Sequence, residues 1–233
     1  SWTLTALPLF VWMGEILFRT KLSENLFKGL SPWMSRLPGG LIHVNVVGCA
    51  LFAAISGSSA ATVATVGKMS IPELRKRKYP EKLILGSLAG SGTLGLLIPP
   101  SIILIIYGVT VQESIAKLFI AGILPGIMIA IFFMFYVIGW SLVNKKEMPK
   151  VTETFSFSKK IKDSGQLIPV IVLITAVIGS IYAGIATATE AASLGVIGAL
   201  ILSFFQKSLT RENFKLSLLG ATKTSCMIAF ILA

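Results

Sequence analysis

The chain has 233 residues, of which 54% are apolar and 13% charged, and a mean hydropathy of +0.83; a soluble domain of this size cannot hide so much apolar surface, which excludes water as its main solvent. The net charge of +11 would raise nucleic acid as a partner, but 20 of the 21 Lys and Arg fall in four clusters, residues 19–36, 68–82, 145–162 and 207–223, each lying between apolar runs. That is the loop bias of a membrane protein and excludes a nucleic-acid face.

In chain order the apolar runs are residues 2–18, 41–71, 83–111, 115–143, 167–205 and 224 onward. No basic segment precedes the first run, so no cleavable signal peptide is expected. Between residues 21 and 37, Leu22, Leu26, Leu30, Trp33 and Leu37 recur every three or four positions beside Lys and Arg, the pattern of an interfacial helix at the cytoplasmic surface. If all four basic clusters are cytoplasmic, each stretch between them crosses the membrane an even number of times. Runs 83–111 and 115–143 supply two crossings, joined near Gln112 and Glu113. Run 167–205 supplies two more, with a break at residues 184–189. Run 41–71 is too short for two crossings, and a single one would put the next cluster on the wrong side. It therefore reads as a re-entrant helical hairpin turning at Ser56-Gly57-Ser58-Ser59. Residues 224–233 read as the opening half of a further membrane helix, so the chain is expected to be a piece of a longer polypeptide.

A second interruption lies at Gly90-Ser91-Gly92-Thr93-Leu94-Gly95-Leu96-Leu97-Ile98-Pro99-Pro100-Ser101. Pro99 and Pro100 lack amide hydrogens and the residue before a proline avoids helical geometry, so a broken helix is expected and carbonyls near residues 93–97 lose their helical partners. Irregular backbone at membrane depth is tolerated only against protein or a water-filled cavity, and paired breaks of this kind are where secondary carriers bind. The expected binding residues are Ser56, Gly57, Ser58, Ser59, Gly92, Thr93, Gly95, Pro99, Pro100 and Ser101, with Thr62 adding a hydroxyl. They offer neutral oxygens without carboxylate, His or Cys, which suits a hard, singly charged cation, sodium, over zinc or a transition metal. The half-helix N-termini after the breaks favour an anionic substrate. Close helix packing through small residues is the competing explanation for any one of these Ser or Gly.

Other polar residues are expected to be structural. Thr189 caps the helix after residue 188, with Glu190 in its first turn. Glu15, a turn from Arg19, reaches the interface. His43, beside Asn45, packs without a role, and Cys49 and Cys226 stand in apolar runs with no metal-ligand spacing. No nucleophile, base and oxyanion group converge, and no nucleotide-binding glycine motif occurs, so an enzyme and a cofactor beyond sodium are not expected.

Six pieces resemble, in order, the large membrane subunit of tripartite ATP-independent periplasmic (TRAP) transporters. They are Ala6-Leu7-Pro8-Leu9-Phe10, Leu37-Pro38-Gly39-Gly40-Leu41, His43-Val44-Asn45-Val46, Ser56-Gly57-Ser58-Ser59-Ala60-Ala61, Gly95-Leu96-Leu97-Ile98-Pro99-Pro100-Ser101, and Gly184-Ile185 with Thr189-Glu190-Ala191-Ala192. The resemblance implies a multi-pass, all-α protein of the bacterial inner membrane, half of an inverted-repeat elevator-type ion transporter. It further implies a small membrane subunit, a periplasmic substrate-binding protein and an organic acid such as a carboxylate or sialic acid as substrate. On that basis residues 1–40 are a membrane helix with the interfacial helix, residues 41–143 the first transport repeat, and residues 144–233 a loop, a helix pair and the start of an incomplete second repeat. The alternatives are an ion-coupled carrier of the same superfamily without a binding protein, a membrane-embedded enzyme and a passive channel.

Overall fold

The computed structural model describes residues 5–19, 22–149, 157–165 and 167–232. These form α-helices and two short 3₁₀ turns, with no strand among the described residues: α1 (Ala6–Phe18), α2 (Leu22–Met34), α3 (His43–Ser56), α4 (Ser59–Lys76), α5 (Glu81–Gly92), α6 (Ile102–Val111), α7 (Ile115–Val143), α8 (Phe157–Ser164), α9 (Ile168–Tyr182), α10 (Ala188–Phe205) and α11 (Arg211–Leu232). The 3₁₀ turns Gly40–Ile42 and Thr93–Leu96 lead into α3 and follow α5.

Two helices, α7 and α10, are long and apolar enough to cross a membrane. The 29 residues of α7 extend about 43 Å, beyond the ~30 Å of hydrocarbon. Leu124, Phe132, Phe135 and Tyr136 of α7 are all more than half exposed, an apolar surface of the kind that meets lipid or a partner protein.

The turn expected in run 41–71 is present. α3 ends at Ser56 and α4 begins at Ser59, and the two legs pack on each other. The 14 residues of α3 reach about 21 Å, short of the hydrocarbon, while α4 has the 18 residues of α10 but is too polar along its length to count as an apolar span. The feet of the hairpin meet, because the Leu41 amide donates to the Tyr79 hydroxyl at 3.1 Å. α1 crosses the tip from the other side, with Gly14 against Ser56, and packs through Phe10 edge-on to Phe119 of α7. α10 and α11 flank it: Gly195 meets Met13, and the Trp12 indole donates to Ser217 Oγ at 3.2 Å.

Tertiary contacts tie three of the basic clusters to the first. The bond from Leu41, which follows the first cluster in the chain, to the Tyr79 hydroxyl brings that end of the cluster toward residues 68–82. Trp33 donates to Ser164 Oγ, bringing in residues 145–162. Arg19 lines one small cavity with Ser208 and Asn213, bringing in residues 207–223. Arg19 also pairs with Glu15 at 3.0 Å, as its spacing leads one to expect.

Four expectations are corrected. The second hairpin leg runs to Lys76 rather than stopping near residue 71, since α4 continues through Pro72. α8 forms inside what reads as a loop; its alternation of Lys with Ile161 is too short a pattern to stand out. α11 begins at Arg211, well before residue 224, because Thr210 Oγ1 accepts the Asn213 amide and Asn213 Nδ2 donates to Ser208 O, starting the helix in the polar segment. The cap of α10 is Thr187, not Thr189: Thr187 Oγ1 accepts the Glu190 amide at 3.3 Å, and the Glu190 carboxylate accepts the Thr187 amide at 2.8 Å. The pair is a reciprocal capping box, for which Thr187 and Glu190 have the required spacing of three while Thr189 falls inside the first turn. Thr187→Ala removes one half of the box and is expected to lower unfolding stability in detergent by about 1 kcal/mol, read as a lower thermal midpoint.

Candidate functional site

The hairpin tip is built by two opposed caps. Gly57 closes α3 in the left-handed region, φ +58°, with its amide donating to Ala53 O at 3.0 Å, the usual helix-ending role of a residue free of a Cβ penalty. Ser58 then turns extended and opens α4, its Oγ accepting the Ala61 amide at 3.4 Å. Ser56 Oγ lies 3.0 Å from Thr62 Oγ1 and accepts the Ser58 amide at 3.3 Å. The hydroxyls of Ser56, Ser58 and Thr62 are thus engaged inside the tip.

The break follows the same logic in another sequence. α5 ends at Gly92, which is buried against Val63 of α4, and the chain tightens to a 3₁₀ turn before Leu97. Leu94 O accepts both the Leu97 and Ile98 amides, at 3.1 and 2.9 Å. The next two residues, Pro99 and Pro100, joined by a cis peptide bond, have no amide hydrogen to return. Ser101 resolves part of the deficit. Its Oγ donates to Leu96 O at 2.7 Å while accepting the Leu104 amide at 3.5 Å to cap α6. The expected loss of partners in residues 93–97 is therefore met internally at Leu94 and Leu96. Thr93 Oγ1 donates to Gly90 O at 2.6 Å on an exposed surface.

The structure brings tip and break into backbone contact. The Ile102 amide donates to Gly57 O at 3.2 Å. A Cβ on Gly57 would collide with the Pro100 carbonyl oxygen, and one on Gly95 would lie 2.8 Å from Ser59 N and 2.9 Å from the Ser58 carbonyl carbon. α7 backs the break, with Gly122 and Gly126 facing Leu97 and Ile98. The N-termini of α4 and α6 and the C-termini of α3 and α5 thereby gather at one place.

Ser59 stands apart from the other hydroxyls. Its Oγ is buried with no hydrogen-bond partner among the described residues, although an unsatisfied buried hydroxyl costs about 1–3 kcal/mol. No group of three or more His, Cys, Asp or Glu side chains gathers among the described residues. The hydroxyls of Ser56, Ser58, Ser59, Thr62 and Ser101 and the backbone carbonyls of tip and break are neutral oxygens, the donor type that suits a hard cation. Thr187 and Glu190 belong to the separate capping box of α10.

Sequence reasoning overlooked a brace beneath the site. Asn45 of α3 donates through Nδ2 to Ile84 O at 3.2 Å and Ser87 Oγ at 2.9 Å, and Ser91 Oγ donates to Asn45 O at 3.3 Å. These bonds pin the first hairpin leg to the helix that breaks. The available signal was a lone Asn in an apolar run, since a buried amide needs partners. His43, fully buried, contacts Pro38 O through Nε2 at 2.8 Å, which holds the loop before the hairpin.

The model of the family described as "Tripartite ATP-independent periplasmic transporter, DctM component" matches residues 1–233. Among curated proteins, a C4-dicarboxylate TRAP transporter large permease protein of Pseudomonas aeruginosa is 32% identical over 233 residues, covering 100% of this chain and 54% of that protein. An isethionate TRAP transporter permease protein of Oleidesulfovibrio alaskensis is 34% identical, covering 100% of this chain and 36% of its own length. A sialic acid TRAP transporter large permease protein of Vibrio cholerae is 32% identical, covering 99% and 54%. The chain spans about half the length of most of these relatives.

Because atoms on both sides of the tip–break contact are backbone, neither Gly57 nor Gly95 can be enlarged by side-chain rearrangement. Gly57→Ala and Gly95→Ala are each expected to destabilise the fold by about 1–3 kcal/mol, whereas Gly139→Ala, where nothing lies within 4 Å of a Cβ, is expected to leave the thermal midpoint unchanged or slightly raised.

Proposed function

The chain belongs to the family of the DctM component of tripartite ATP-independent periplasmic transporters, and from that premise we propose that it is the permease part of a sodium-coupled secondary transporter importing an organic acid across the bacterial inner membrane. A small membrane subunit and a periplasmic substrate-binding protein complete the machinery in this reading. The observation that carries it is the joined pair of interruptions, hairpin tip and broken helix, with neutral oxygen donors and the open hydroxyl of Ser59 between them.

Each part has a physical task. Helix C-termini bear partial negative charge and favour a cation, while the N-termini of α4 and α6 favour an anion. Sodium is held by Ser59 Oγ with carbonyl oxygens of the tip and the break. It supplies positive charge at the site, which raises affinity for the substrate's acidic group. The backbone contact holds tip and break in one fixed arrangement, so that ion and substrate energies are coupled. The relatives named above are described by C4-dicarboxylate, isethionate and sialic acid, solutes that share a carboxylate or sulfonate, and an organic acid is the class proposed here.

The proposed topology places all four basic clusters in the cytoplasm, so that the α3–α4 hairpin enters and leaves by that face. The support is the short reach of α3, the polarity of α4, the bond between the hairpin's feet and the contacts among the basic segments.

In the full-length transporter with its partners in liposomes, uptake is expected to require an inward sodium gradient. Ser59→Ala should raise the sodium concentration for half-maximal uptake about threefold to tenfold, the effect of ~0.5–1.5 kcal/mol. Uptake driven by a proton gradient alone, or an unchanged sodium dependence in Ser59→Ala, would remove the basis for this site. With the native cysteines replaced, a cysteine at position 113 should react with an impermeant reagent from outside, and cysteines at 77, 146 and 211 should not. External labelling at 77 would mean that the hairpin crosses the membrane.

A further inference from the structure

Two basic segments that lie 131 residues apart meet where α2 packs on α8. The Trp33 indole donates to Ser164 Oγ at 2.7 Å, and the Lys160 ammonium stands 5.4 Å from the centre of the Trp33 ring. Lys160 is only 8% exposed while Trp33 remains 45% exposed, and Arg36, three residues further on, is also exposed. Within ion-pair distance of a carboxylate among the described residues are Arg19, Arg75 and Arg77. Lys160 and Arg36 have no such partner there, and Asp163, on the same helix as Lys160, does not reach it. The corner between α4 and α5 differs, since Arg75 and Arg77 are neutralised by Glu81 and Glu73.

A lysine stem buried against an indole, with its charge answered among the described residues by the ring face and by no carboxylate, leaves an incomplete electrostatic environment. An incoming anion completes it. The location says which anion. α9 begins at Ile168, four residues after Ser164, and its Ile168 and Val172 are more than half exposed. Leu167 lies against Gly29 of α2. The pair Trp33 and Lys160 therefore sits where the chain passes from a polar, basic layer into apolar surroundings, the level at which indoles settle in a bilayer and basic side chains meet phosphate. Among the described side chains of the two segments, Lys28, Arg36 and Lys160 stand against Asp163, a positive balance that favours an anionic headgroup over a zwitterionic one.

We propose that Trp33, Arg36 and Lys160 form a binding site for the headgroup phosphate of an anionic phospholipid, which bridges α2 and α8. Arg36 and Lys160 contact the phosphate, and Trp33 packs on the lipid backbone while orienting Lys160. The site rests on the chain being a membrane protein and is independent of sodium coupling and of the side on which α2 lies.

The test is thermal unfolding of the full-length chain in an uncharged detergent, titrated with phosphatidylglycerol, phosphatidylcholine or inorganic phosphate. Phosphatidylglycerol is expected to raise the midpoint, less so in about 0.5 M salt where exposed charges are screened, and phosphatidylcholine and inorganic phosphate are not. The double variant R36Q/K160Q should lose most of that rise, and the control K68Q/K82Q, which removes the same charge from exposed positions elsewhere, should keep it. Arg36→Gln alone, at an exposed side chain, carries the same comparison without any demand on packing and should lose part of the rise. Equal rises with both lipids, a rise retained in the Arg36 variants, or a rise with inorganic phosphate alone would overturn the proposal, the last by making this a free-anion site.

Discussion

Backbone that leaves helical geometry inside a membrane protein must find its hydrogen bonds within the protein, because hydrocarbon offers none. Here the two interruptions do so largely for themselves and for one another. Gly57 O takes the Ile102 amide, Ser101 Oγ serves Leu96 O, and Leu94 O takes two amides. Much else in the chain follows from the need to keep that contact closed. Gly57 and Gly95 keep side-chain volume out of it, Asn45 fixes the approach of α3 to α5, and Gly14, Gly122 and Gly126 let α1 and α7 close around it.

The arrangement leaves few polar atoms to spare. Ser56, Ser58, Thr62 and Ser101 are occupied in forming the turns that bring them together. A hydroxyl that caps a helix still has lone-pair capacity, but its orientation is set by the cap, so its first contribution is to geometry. Ser59 is different in that nothing among the described residues hydrogen-bonds its hydroxyl. Other buried polar atoms also lack a partner, among them Asn45 Oδ1 and Ser70 Oγ, but Ser59 is the one of these at the backbone junction of tip and break.

Charge is organised with the same economy. The acids near the basic clusters neutralise Arg19, Arg75 and Arg77, while α2 and α8 keep a basic surface with an indole at its centre. Basic segments far apart in the chain become neighbours in pairs, α2 with α8, the start of α3 with the end of α4, and the end of α1 with the α10–α11 turn.

The amino-acid sequence by itself determined the membrane class, the runs, the hairpin turn and the proline break, because hydropathy, Gly-Ser clusters and Pro-Pro act on the chain locally and leave marks in consecutive residues. It also located ten residues at the two interruptions. Only the tertiary structure decided that tip and break touch, that Thr187 rather than Thr189 caps α10, that α11 starts at Arg211, and that α8 exists and carries Lys160 onto Trp33. Those features depend on which of several nearby hydroxyls finds an amide and on which segments 40 to 130 residues apart become neighbours, and a single chain of residue types records neither distance nor orientation. Ser56, Ser58, Ser59 and Ser101 look alike in the sequence; which of them has an unspent hydroxyl is settled by the hydrogen bonds the others make once the chain has folded.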